Sequence, residues 1–273
     1  MTDNIAADLG PLLSPQASIV LPGDATFSNL VSRWREYEAS TISAVVQVST
    51  EADVQQTVRY SLEHDIPFMA RAGGHGATET LATAKNPIQI DFRSLNQVKL
   101  SKDGTAATIG GGATVKQVVS TLEDRGKRPG KKILRILHET YGLMADQVVS
   151  ARLVLPNSEL VTVSEKSNPD LFWAIRGAGH NFGLVTEWEF RVYDIKNPKW
   201  SYEIFIYSGD KLEALYNLAN TMLKDQPPEP ILWFAIIYDG PTETARKYAK
   251  PLHGIGPIMV QSGEATMHEL DTS

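Results

Sequence analysis

Pro67-Phe68-Met69-Ala70-Arg71-Ala72-Gly73-Gly74-His75-Gly76 is a short apolar run that empties into three glycines wrapped around a histidine. The run Phe68, Met69, Ala70 follows a proline and is bounded by Gly73-Gly74, which predicts a buried strand ending in a tight turn. A turn free of Cβ atoms can bring several backbone N–H groups against a phosphate, and Arg71 adds positive charge at the same place. His75 is the reactive side chain inside the loop. From these residues alone a second reading stands beside the first: the glycines make a sharp strand exit and His75 caps it through an ordinary hydrogen bond.

Upstream, the β-branched run over Ala44 to Val48 predicts a strand, and Ser49 or Thr50 offers an N-cap for a helix from Glu51 to about His64. Val54, Val58 and Leu62 recur at i, i+4 and i+8, as one helical face would. Strand, helix, strand and glycine loop make an α/β unit able to hold a cofactor at the carboxyl ends of its strands. It is not a dinucleotide fingerprint of the Gly-x-Gly-x-x-Gly kind: that spacing is absent, and Gly110-Gly111-Gly112 does not supply it, which argues against a nicotinamide dehydrogenase. Met1 to Asn29, punctuated by Pro11, Pro15, Pro22 and Gly23, reads as a lead-in carrying little of the fold.

Downstream, Ile88 to Phe92 alternates as a strand, another is expected over Ala106 to Ile109, and Thr114 can cap a helix over Val115 to Leu122. Ala151 to Leu155 and Glu159 to Val163 form a hairpin about Pro156-Asn157-Ser158. Asn168 to Gly177 is a self-contained helix with Pro169 in its first turn and Gly177 at its stop. It feeds a second glycine-rich turn, Gly177-Ala178-Gly179-His180-Asn181-Phe182-Gly183, in which His180 reads as a loop hydrogen-bonder rather than a catalyst. Then Thr186, Trp188, Phe190 and Val192 alternate with Glu187, Glu189 and Arg191, one face in and one out. The texture shifts after Lys196-Asn197-Pro198 to a strand at Tyr202 to Tyr207, a helix at Asp210 to Leu223, a proline break, a strand at Ile231 to Tyr238 and a helix at Thr242 to Leu252.

Bulk composition narrows the function classes. The 26 Lys and Arg against 32 Asp and Glu leave a formal net charge of −6 over 273 residues, with no basic block of the kind that holds nucleic acid or a membrane surface. A small-molecule partner is expected. The absence of cysteine removes disulfides, thiolate metal sites and thiol nucleophiles together, and no metal site is expected. Met1 to Gly10 lacks a signal pattern and no apolar run approaches the length of a membrane span, so the expected location is the cytoplasm.

Arg71-Ala72-Gly73-Gly74-His75 resembles the Arg-x-Gly-Gly-His signature of the FAD-linked oxidoreductases of the berberine-bridge-enzyme-like, vanillyl-alcohol-oxidase superfamily, whose FAD-binding domain is called PCMH-type. Asp91-Phe92-Arg93-Ser94-Leu95-Asn96, Tyr141 to Gln147 and Asn168 to Thr186 resemble later stretches of the same family. The resemblance implies an α+β fold: a lead-in over 1–39, a PCMH-type FAD-binding domain of two α+β subdomains over 40–196, and a partial antiparallel-sheet substrate domain over 197–273. It implies FAD as cofactor, with His75 as a single covalent tether and Arg71, Gly73, Gly74, Gly76, Gly179, Asn181, Gly183 and Val185 as its cradle. The implied activity is oxidation of a small organic molecule of a natural-product pathway, with molecular oxygen as electron acceptor; the catalytic base is unassigned.

Two departures favour an alternative, a non-catalytic truncated or decayed paralogue acting as a binding or accessory protein. Glu123 to Thr140 is basic and short, with two glycines, where the family carries a long glycine-rich segment. The resembled architecture also continues beyond Ser273.

Overall fold

The computed structural model of the chain describes residues 2–34, 41–76, 83–129, 142–197, 199–207, 209–222, 235–238, 240–257 and 259–266. They form two units, Met1–Tyr193 and Asp194–Ser273. No helix among the described residues is long and apolar enough to cross a membrane.

The first unit contains two sheets. One has the order β1-β2-β4-β3, from β1 (Ser18–Val20), β2 (Ala44–Gln47), β3 (Phe68–Arg71) and β4 (Ile88–Asp91). β4 is parallel to both β2 and β3, and β1 is antiparallel to β2. Parallel strands need a crossover, and α3 (Glu51–Glu63) supplies it between β2 and β3. Its start is fixed by a capping box in which Thr50 Oγ1 accepts from Asp53 N and Asp53 Oδ2 accepts from Thr50 N. Val54 and Val58 are fully buried, but Leu62 is 51% exposed. Eight residues at about 100° each overshoot two turns, so the buried stripe passes to Tyr60 and Ser61 instead.

The first 31 residues are not the uninformative lead-in that their prolines suggest. α1 (Thr2–Leu9) inserts Ile5 and Leu9 into the same core as Val46, Val54, Ile88 and Ile90. Ser14 then donates to Asp53 from its amide at 2.7 Å and from its hydroxyl at 2.8 Å. α2 (Phe27–Val31) ends beside the sheet, where Gln89 Nε2 donates to the Leu30 carbonyl. Two isolated apolar residues four apart carry too weak a period to be seen in sequence, yet they suffice once a core receives them.

The second sheet is antiparallel, ordered β5-β6-β10-β8-β9, with β7 also against β10. Its strands are β5 (Val98–Leu100), β6 (Ala106–Gly110), β7 (Lys127–Pro129), β8 (Val148–Val154), β9 (Leu160–Ser164) and β10 (Leu184–Asp194). The β8–β9 hairpin pairs Val154 with Leu160 around the expected turn. α4 (Val115–Glu123) is capped by Thr114 and buries Leu122 against Ala107, Ile109 and Val192. α5 (Pro169–Ala178) buries Phe172 and Ile175 against Ala151, Leu153 and Val163. It runs past the expected stop at Gly177, because that glycine holds helical backbone, and continues through a 3-10 turn over Gly179–Asn181. The basic stretch from residue 130 onward, Tyr141 and the side chain of His180 lie outside the described residues.

In the second unit β11 (Trp200–Ile206) lies between β12 (Ala235–Tyr238) and β13 (Met259–Ala265), both antiparallel to it. α6 (Leu212–Met222) and α7 (Thr242–His253) cover the sheet through Phe205, Leu215, Ala249 and Leu252. The helix expected from Asp210 begins instead with a 3-10 turn at Gly209–Lys211, and the expected strand residues 231–234 lie outside the described residues.

Candidate functional site

Within the first unit, a cleft of about 570 Å³ opens along the outer edge of β3. One wall is Phe68, Met69, Ala70 and Ala72, with Phe92 beside them; Val154, Gly183, Leu184, Val185 and Trp188 contribute from the second sheet. Gly111, Pro156, Gly179 and Asn181 complete the lining. No charged side chain lines the cleft among the described residues, and Asn181 is its one amide side chain. Such a lining suits a largely apolar group.

Its hydrogen-bonding capacity comes from backbone. The Pro67 and Arg71 carbonyls accept from Ile88 N and Phe92 N, each at 2.8 Å, so the alternate residues of β3 spend their backbone groups on β4. By the alternation of a parallel ladder, the N–H and C=O groups of Phe68, Ala70 and Ala72 point the other way, toward the cleft they line. Among the described residues no strand lies beyond β3, so this edge can offer donors and acceptors to a bound molecule.

Positive charge lies behind this wall. Arg71 is 9% exposed; its Nη2 donates to the Ser32 carbonyl at 2.7 Å, while Nε and Nη1 are buried without a hydrogen-bond partner. Its guanidinium packs under the glycine turn, with Nη2 3.3 Å from where a Cβ on Gly74 would sit. Gly74 has φ +74°, a backbone that side-chain-bearing residues rarely adopt, and its carbonyl accepts from Trp34 N. Asp91 is the nearby carboxylate, but Arg93 takes both its oxygens, through Nε at 2.9 and 3.1 Å and through a short contact from Nη2. Arg33 stands on the same side, with Nη2 against Met69 and Gln89. Burial lowers the Arg71 pKa from its ordinary value, Arg93 and Arg33 lower it further, and Asp91 only partly opposes them. Among the described residues, Arg71, Arg93 and Arg33 outnumber the one carboxylate of Asp91, an excess of positive charge under the turn.

The residues singled out in sequence divide into two groups. Gly179, Asn181, Gly183 and Val185 line the cleft. Arg71, Gly73, Gly74, His75 and Gly76 adjoin it through Ala72 without lining it, and His75 is exposed. The Cδ2 atom of His75 lies 2.9 Å from where a Cβ on Gly73 would be, so a side chain there would press on the imidazole. Gly183 is demanded by packing, since its Cβ would come within 2.8 Å of the Val154 carbonyl; a Cβ on Gly179 would make only an ordinary contact, 3.8 Å from Ile175 Cβ. Sequence reasoning passed over Phe68, Phe92, Gly111 and Trp188. The triplet Gly110 to Gly112 was their signal: added Cβ atoms would lie 2.2 Å from Leu95 O, 2.1 Å from Val185 O and 1.7 Å from Phe92 O. Three chain segments cross there, from both sheets.

Residues 42–135 match the family model described as FAD binding domain. The chain is similar to FAD-linked oxidoreductase chyH of Penicillium rubens, 32% identical over 96% of this chain and 59% of that protein. It is also similar to FAD-linked oxidoreductase fmqD of Aspergillus fumigatus, 31% identical over 98% of this chain and 61% of that protein. Among solved structures, BBE-like 1 of Physcomitrella patens superposes with a TM-score of 0.83 at 20% identity, over 99% of this chain and 63% of that one. The 6-hydroxy-D-nicotine oxidase of Arthrobacter nicotinovorans superposes at 0.78 and 24%, over 95% and 64%. The fold is that of the PCMH-type FAD-binding oxidases. Residues 42–135 are thus matched as an FAD binding domain, and the chain spans 59% of the length of the first of these relatives.

The residues present fit the cofactor. A dinucleotide needs a slot for a flat ring and a site for its phosphate charge. The cleft offers the first, and the unpaired buried N–H groups of Arg71 beneath Gly74 suit the second.

Proposed function

We propose that this chain is the FAD-holding part of an oxidoreductase that acts on a small organic molecule of a natural-product pathway, in the cytoplasm, with molecular oxygen as electron acceptor. The observation that carries the reading is the pairing of an apolar slot, edged by the outermost described strand β3, with a buried guanidinium that has two unsatisfied atoms at the adjoining glycine turn.

In this reading the turn Gly73-Gly74 and Arg71 take the pyrophosphate, while Gly179, Asn181, Gly183 and Val185 lie along the rest of the cofactor. Gly76 continues the turn, and the exposed imidazole of His75 is available to form one covalent bond to the flavin. FAD supplies a two-electron acceptor for a hydride leaving a C–H bond next to a hydroxyl, amine or phenol-type group. The chain's own part is to orient the cofactor, to keep water from the face covered by Val154, Leu184 and Trp188, and to hold positive charge near the phosphates.

The test is to purify the protein, load it with FAD, precipitate it with acid and follow yellow colour and flavin fluorescence. Colour that stays with the pellet, and moves to the supernatant in His75→Ala, is the expected result. A protein that neither quenches FAD fluorescence before precipitation nor retains colour after it would overturn the assignment.

A further inference from the structure

Glu51, the first residue of α3, reaches out of the first sheet's layer and is gripped by the second sheet. Arg152 on β8 donates to its carboxylate from Nε at 2.8 and 3.1 Å and from Nη2 at 2.6 Å. Thr186 on β10, 1% exposed, donates from Oγ1 to Glu51 Oε1 at 2.6 Å. The Arg152 bond holds the Glu51 carboxyl below its usual pKa, against burial and with help from Thr186, and the same pairing raises Arg152. One turn along α3, Gln55 Nε2 donates to the Ser158 carbonyl in the β8–β9 turn at 3.0 Å.

These contacts join the elements that carry the two walls of the cleft. Thr186 follows Val185, which lines it, and the Thr186 carbonyl accepts from Gly111 N at 2.8 Å, Gly111 being another lining residue. Arg152 precedes Leu153 and Val154, the latter also in the lining. Glu51 itself cannot shift freely, because α3 is pinned at this end by the Asp53 carboxylate, which accepts from Ser14, Ser49 and Thr50.

We propose that Glu51, Arg152 and Thr186 are positioning residues that set the width of the cleft, and through it the affinity for FAD, without touching the cofactor. The inference rests on the proposed FAD site. The ion pair is partly exposed, 28% at Glu51 and 41% at Arg152, so its loss spares the fold and acts on spacing. Breaking it removes the hold of α3 on β8, and without the Glu51 carboxylate Thr186 keeps only the Arg152 carbonyl at 3.2 Å, which frees the start of β10 to move against β3.

The chain has no cysteine, so labels can be placed at will. Spin labels at Arg59→Cys on α3 and Thr162→Cys on β9, both exposed, read the separation of the two layers by pulsed electron resonance, with or without FAD. Expected in Glu51→Gln, Arg152→Met and Thr186→Val are a broader distance distribution and an FAD dissociation constant raised roughly tenfold, a cost of ~1.4 kcal/mol. Thr186→Ser, which keeps the hydroxyl, is expected to restore both readouts to native values. A distribution unchanged by all three substitutions overturns the clamp, whatever FAD does. A broadened distribution with unchanged FAD affinity overturns its link to the cofactor. Failure of the native protein to bind FAD, with the distribution broadened in the variants, sinks the FAD site and leaves the clamp standing.

Discussion

Arg71 and Asp91 are register partners on adjacent parallel strands, yet Arg71 Nη1 stands 4.0 Å from the carboxylate and makes no hydrogen bond to it, because Arg93 occupies both oxygens. A buried guanidinium with idle donors lowers stability by roughly 1–3 kcal/mol per unsatisfied group unless a ligand completes it. Nature seldom leaves such donors idle without a use for them, and the proposed FAD site supplies one, an anionic group at the neighbouring glycine turn.

Arg71→Met tests the point directly. Removing the idle donors is expected to leave the melting midpoint of the FAD-free protein within a few degrees of native. FAD binding, followed by fluorescence titration, is expected to weaken by about ten- to a hundredfold, the worth of one or two charge-assisted hydrogen bonds. The thermal shift that saturating FAD produces in the native chain shrinks accordingly. Equal FAD affinity in both proteins would assign Arg71 to structure alone.

Glycines of this chain differ sharply in what they tolerate. Gly112→Ala places a Cβ 1.7 Å from the Phe92 carbonyl, so the crossing of three segments must open; loss of soluble protein, or a fall of more than about 3 kcal/mol in urea denaturation, is expected. Gly177→Ala meets nothing within 4 Å inside α5 and is expected to stabilise by about 0.5–1 kcal/mol through helix propensity.

Acid sensitivity should trace in part to Asp53, beside the Glu51 carboxylate held by Arg152. Burial alone would raise its carboxyl, but the bonds from Ser14, Ser49 and Thr50 outweigh it and hold the pKa below the ordinary value. A group depressed in the folded state contributes stability above its unfolded pKa, ~3.9, and loses it as pH falls through the folded value. Denaturation midpoints measured from pH 7 downward should therefore drop below about pH 4 in the native chain. Asp53→Asn should be less stable at pH 7 by roughly 1–3 kcal/mol and show a shallower acid slope. Identical slopes would place the acid-labile group elsewhere.

In the second unit Glu203 is 6% exposed and hydrogen-bonded to His253 Nε2 at 2.7 Å, the imidazole standing edge-on to Phe205. His253→Ala leaves a buried carboxylate without this partner and is expected to speed proteolysis within 194–273 while FAD binding stays native. His253→Gln, which can still donate, should recover most of the resistance. Cleavage at the native rate in both variants would show that the pair contributes nothing.

Much of this protein is written locally. The β-branched run at Val45 to Val48, the caps at Thr50 and Thr114, the hairpin about Asn157 and the stretch from Phe68 to Gly76 each owe their form to neighbours within a few residues, so period and turn chemistry reveal them. The turns bearing His75 and Asn181 were likewise legible as glycine patterns with a family likeness. Tertiary structure alone decided what those patterns face. That Ile5 and Leu9 complete a core, that Gly112 yields to the Phe92 carbonyl, that Arg93 and not Arg71 satisfies Asp91, and that Glu51 is held by Arg152 and Thr186 are pairings across up to 135 residues of chain. Such pairings leave no periodic trace, because a hydrogen bond or a steric limit depends on where two backbones meet and not on what either sequence says by itself.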